Sequence, residues 1–119
     1  MLKGDKNNVA VGYGAECGGV DNIAIGHETN ACGDYSVAIG YQAKAGFYNS
    51  GKDEVTTPIK GSVAIGSGGP SEGAQTYVNK SIVIGPDIEM YSNCKEGAVM
   101  IGQDLSSNNA KTRILIGKG

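Results

Sequence analysis

The chain has no tryptophan, one phenylalanine and one histidine among its 119 residues. Aromatics make up 6% of it, which excludes a core built around large rings. The single histidine, His27, has no partner for acid–base work, because Glu28 beside it falls on the other face of an extended chain. Three cysteines, Cys17, Cys32 and Cys94, show no CxxC spacing, whereas a zinc site wants four clustered ligands. Cys17 occupies a slot held elsewhere by Ala31 and Ala45, and Cys32 one held by Gly18 and Gly46, so they read as small hydrophobes. No apolar run approaches the ~18 residues of a membrane span. The start, Met1-Leu2-Lys3-Gly4-Asp5-Lys6, lacks the apolar core of a signal peptide. The expectation is a chain held in the cytoplasm until assembly, or a piece of something longer. A net charge of −2 makes no electrostatic case for nucleic acid or an anionic membrane. Gly66-Ser67-Gly68-Gly69 has no following GK[ST] and no helix, which discounts a phosphate loop. With no Ser/His/Asp set and no paired carboxylates, no catalytic, cofactor or metal residue is assigned.

What is present is one phrase written seven times. It runs Val9-Ala10-Val11-Gly12, Ile23-Ala24-Ile25-Gly26, Val37-Ala38-Ile39-Gly40, Val63-Ala64-Ile65-Gly66, Ile82-Val83-Ile84-Gly85, Val99-Met100-Ile101-Gly102 and Ile114-Leu115-Ile116-Gly117. Period-two alternation is the pattern of a strand, and β-branched residues suit a pleated surface. The glycine lets the chain turn through positive φ. Successive phrase glycines lie 14, 14, 26, 19, 17 and 15 residues apart. A fixed short period, lengthened in places, predicts a solenoid with loops inserted in some coils. Fourteen residues suit two short strands and two tight turns. Positions three and five after each glycine give the second strand: Ala15 and Cys17, Thr29 and Ala31, Ala43 and Ala45, Gly69 and Ser71, Ile88 and Met90, Leu105 and Ser107.

The predicted fold is therefore all-β: a parallel β-roll of about seven coils in one domain. Residues 1–6 are a lead-in, 7–46 regular coils, 47–61 and 67–80 inserted loops, and 81–117 bulkier C-terminal coils. The expected core is Val9, Val11, Ile23, Ile25, Val37, Ile39, Val63, Ile65, Ile82, Ile84, Val99, Ile101, Ile114 and Ile116. The opposite phase, Ala10, Ala24, Ala38, Ala64, Val83, Met100 and Leu115, is expected to face outward. A solvated face would carry polar residues, so this apolar stripe predicts self-association. Growth of the stripe and of Ile88/Met90 after Lys80 points to a wider cross-section, or to the main oligomer contact, at that end.

Asn8-Val9-Ala10-Val11-Gly12, Asn22-Ile23-Ala24-Ile25-Gly26 and Ser36-Val37-Ala38-Ile39-Gly40 resemble the head repeat of YadA-like trimeric adhesins. That repeat reads roughly Asn-Ser-Val-Ala-Ile-Gly followed by Ala-x-Ala-x-Gly, and Ala43-Lys44-Ala45-Gly46 matches its second half. The resemblance covers residues 7–46 and 62–66 and fades to the Ile-x-Ile-Gly skeleton beyond. It implies a left-handed parallel β-roll in a homotrimer; similar repeats occur in bacteriophage tail fibres and appendages. The cysteines, and the lack of an anchor, stalk or signal sequence, turn the expectation toward a virion component, a tail fibre or spike tip or a capsid decoration protein. The head of a bacterial surface adhesin is the alternative. Partners would be copies of itself, other virion proteins, or a cell-surface receptor or glycan. Candidate contacts are Tyr13, His27 and Tyr41, which recur at one coil position, and Phe47 with Tyr48 in the first insertion. The three recurring rings also read, more simply, as a ladder that shields sheet edges or meets another protomer. An acyltransferase of the left-handed β-helix type is set aside, because hexapeptide repeats give an 18-residue coil.

Overall fold

In the computed structural model, residues 7–46, 60–67, 73–91, 94, 96–109 and 114–119 are described. The chain is an all-β solenoid, with no helix among those residues. The phrase forms one seven-stranded sheet: β1 (Val9–Val11), β3 (Ile23–Ile25), β5 (Val37–Ile39), β7 (Val63–Ile65), β9 (Ile82–Ile84), β11 (Val99–Gln103) and β13 (Ile114–Lys118). The second sheet holds β2 (Glu16–Cys17), β4 (Asn30–Ala31), β6 (Lys44–Ala45), β8 (Gln75–Thr76), β10 (Glu89–Met90) and β12 (Ser106–Ser107). Every strand pairs in parallel with the matching strand of the next coil, phrase on phrase, as in Ala24↔Ala38 and Ile25↔Ile39. Among the described residues there are six complete coils, closed by β13 as a seventh strand, rather than seven coils.

The phrase glycine does more than permit a turn. Gly40 sits at φ +124°, and a Cβ there would lie 2.5 Å from the Gly66 carbonyl oxygen. The backbones of successive coils touch at this corner, so no side chain fits. The residue before each phrase has an equally specific task. Asn22 is fully buried; its Oδ1 accepts from the Ser36 N–H (2.7 Å), and its own N–H is donated to Asn8 Oδ1 (2.9 Å). Its Nδ2 donates to the Gly18 carbonyl. An Asn/Ser ladder thus satisfies buried backbone groups at the opposite corner.

The phase of the strands is the reverse of the expectation. Ala24, Ala38, Ala64, Val83 and Met100 are fully buried between the sheets, with Ala10 and Leu115 packed against that core. These seven residues are the interior, not an outer oligomer stripe. The fourteen residues expected inside lie on the outer face. Val9, Val11, Ile23, Ile25, Ile82, Ile84, Ile114 and Ile116 are exposed, Val11 to 55% and Ile114 to 71%. Val37, Ile39, Val63, Ile65, Val99 and Ile101 are half-buried. The reason is steric. A three-residue strand points either one or two side chains inward. Opposite it stand Ala15, Cys17, Thr29, Ala31, Ala43 and Ala45, all buried as expected. A coil this short brings the sheets too close for two β-branched side chains per strand, and one alanine fits.

Two boundaries also shift. Gly69 and Ser71 lie outside the described residues, and the fourth coil's inward pair is Ala74 and Thr76. Residues 73–80 therefore belong to the roll rather than to an inserted loop. Lys60 has rejoined it as well, bridging in parallel to Asp34. Toward the C-terminus, Val83, Met100, Ile88 and Met90 all enter the same interior, so the roll is wider there. Their growth supplies no argument for an oligomer contact.

Candidate functional site

The outer Val/Ile face is the most conspicuous surface of the molecule. Seven in-register strands carry β-branched side chains on it, with no polar residue at those positions in any of the seven phrases. Soluble chains rarely leave so continuous an apolar face in water.

A second feature lies at the corner that follows the phrase glycine. Tyr13, His27 and Tyr41 form a stack, with ring centroids 5.2 and 5.3 Å apart and planes within 19° and 8°. The sequence brings them together because each follows an in-register strand by the same two residues. Glu28 does not fall on the far side of the chain, as simple alternation implied. Its φ of +55° turns it back, and its carboxylate lies 3.9 Å from His27 Nδ1. Gln42 Nε2 donates to the same carboxylate at 2.7 Å. The stack spends its ring faces on itself: His27 is covered on both sides, and Tyr13, at the end of the stack, is 78% exposed. The arrangement braces the corner better than it offers planes to a sugar. Phe47 and Tyr48 lie outside the described residues.

A third feature has no counterpart in the sequence reading. Tyr77 and Tyr91 stack at 6.1 Å on the second sheet. The Tyr77 hydroxyl donates to Gln75 Oε1 and the Tyr91 hydroxyl to Glu89 Oε2, both at 2.6 Å. Gln75 and Glu89 line a cavity of about 160 Å³ together with Asp87 and Ser106. Its signal in the sequence is two tyrosines 14 residues apart, which a loop over residues 67–80 conceals.

Cys17, Cys32 and Cys94 are free thiols. Cys17 is fully buried, and burial pushes its thiol above the ordinary range.

Residues 19–43 and 33–50 each match the YadA head domain repeat. Over residues 19–50 the coils resemble the YadA head repeat. The match spans the second and third phrases with their Asn22 and Ser36 leads, and Ala43-Lys44-Ala45-Gly46 after them. No curated protein and no solved structure matches the chain. The match agrees with the parallel pairing of the coils over those residues.

Proposed function

We propose that this chain is the rigid, non-enzymatic head of a homotrimer, and that its three copies meet through the outer Val/Ile face and present the remaining surfaces for recognition. The carrying observation is that the phrase strands are apolar on both faces, whereas among the described residues only the alanine face is fully buried. The contact between copies thus moves with the phase, from Ala10, Ala24 and Ala38 to Val9, Val11, Ile23 and Ile25. Three copies, and a bacterial adhesin-like setting with exposure at the cell surface, are what the YadA-like repeat implies. A virion appendage or decoration protein is the second reading. Three free thiols favour it, two of them buried, because they suit a chain that folds in a reducing cytoplasm before assembly.

Native mass spectrometry tests the assembly. The expected result is a single species of three times the 12.2 kDa chain mass. Ile25→Lys combined with Ile84→Lys places charges on two non-adjacent outer strands; it is expected to shift the mass to one chain with the β-type circular dichroism intact. A wild-type monomer, or a trimer indifferent to these charges, overturns the proposal.

A further inference from the structure

We propose that the copies of the trimer lock rim to rim, with Tyr35 of one copy packed on Tyr41 of the next. This contact rests on the trimer proposed above and closes it. Each phrase strand runs between two corners of the coil, one before the phrase and one after its glycine. In a closed ring whose axis follows the stack of coils, all copies point the same way. The corner after the glycine on one copy then meets the corner before the phrase on its neighbour, at the same level.

Coil three places a tyrosine at each of those corners. Tyr35 lies two residues before β5 and is 58% exposed; Tyr41 lies two residues after it and is 42% exposed. The strand between them keeps the two rings of one copy apart. Tyr41 stacks on His27, whereas Tyr35 stacks on no ring among the described residues. The backbone adds a second observation. Tyr35 sits at φ +56°, in line with Asn7 at +51° and Asp21 at +56°. Asn and Asp visit this left-handed conformation readily, and a bulky ring does so at a cost. An exposed tyrosine held there gains little from its own chain and is placed for a neighbour.

Coil two supplies a complementary pair one level away. Asp21 stands at the corner before the phrase, its Oδ1 accepting from Asn7 Nδ2 at 3.0 Å. His27 stands at the corner after it, its side chain 46% exposed. Between copies an imidazole N–H thus meets a carboxylate in coil two, and a ring meets a ring in coil three. The Val/Ile face by itself is nearly the same in every coil and would let copies slide by one coil. Sliding sets Tyr35 opposite His27 or Ser67 instead of Tyr41, so the corner residues fix the level at which copies meet.

The test is crosslinking in the full chain carrying Cys32→Ser, which removes the half-buried thiol and leaves the buried Cys17 and Cys94. Tyr35→Cys combined with Tyr41→Cys is treated with a short bis-maleimide and weighed after denaturation. Within one copy the strand holds the two positions on the order of 15 Å apart, beyond the reagent's reach. The expected result is a covalent species of three times the 12.2 kDa chain mass from the double variant, and single chains from either variant alone. Two chains joined in a single variant would mean that like corners meet, and would overturn the proposal. A dilution series checks the contact without added thiols. Tyr35→Ala and Tyr41→Ala are each expected to raise the concentration at which the trimer dissociates about tenfold, and the two together little more than either. Fully additive effects would separate the rings and overturn the contact. Native mass on the same samples keeps the two readings apart: a trimer whose double variant does not crosslink rejects only the rim contact, and a monomeric wild type rejects both.

Discussion

At the scale of single residues, the corners of the coil are the most constrained places. Gly40 and Gly97 both have positive φ, +124° and +79°. A Cβ at Gly40 meets the Gly66 backbone, whereas at Gly97 it meets nothing within 4 Å. Gly40→Ala is expected to cost more than about 4 kcal/mol, and Gly97→Ala about 1 kcal/mol, from the left-handed conformation alone. Urea midpoints compared at one protein concentration decide this; equal effects would mean the coils do not touch at the glycine. Asn22→Ala leaves the buried Ser36 N–H without its acceptor and is expected to lose about 1–3 kcal/mol. Cys17 adds a pH term. Because burial raises its pKa, the folded chain holds the thiol proton more tightly than the unfolded one. That contribution is complete below about pH 8.5 and is lost as pH rises through the elevated folded value. Urea midpoints from pH 7 upward are expected to fall in alkali, and to fall less in Cys17→Ala.

At the scale of strands, the decision is which phase faces in. Ala38 lies between Ala24 and Ala64 in the register and is fully buried. Ala38→Leu is expected to overpack the interior and cost about 1–3 kcal/mol or more. Ile39→Thr, one residue on, keeps a β-branched side chain on the outer face and is expected to leave the coil's own stability within about 0.5 kcal/mol. Thermal unfolding of both in the Ile25→Lys/Ile84→Lys background, where the outer face is no longer in contact with copies, gives the answer; the opposite ranking would restore the Val/Ile interior. Alternation in the phrase was legible without coordinates, and so were the inward pairs Ala15/Cys17 and Ala43/Ala45. The phase was not, because both faces of the phrase are apolar and hydropathy gives no contrast between them.

At the scale of the whole molecule, an apolar sheet face that the described residues leave exposed or half-buried is the property that shapes the rest. Stability measured on an assembly of this kind depends on protein concentration, because dissociation is linked to unfolding. A tenfold dilution is expected to lower the midpoint of wild type and to leave that of Ile25→Lys/Ile84→Lys unchanged. The second-sheet cavity belongs to this scale as well. Gln75 and Glu89 become neighbours only when coils four and five stack, and the insertion before Gly73 concealed their alignment.

Taken by itself, the order of residues determined the repeat, the parallel pairing and the corners, because glycine, asparagine and β-branched residues each have narrow local preferences that recur at a fixed step. The tertiary structure decided which side of each strand is inside. That choice depends on the room between two facing sheets, which in the fourteen-residue coils is filled by alanine and in the longer C-terminal coils admits Val83, Ile88, Met90 and Met100.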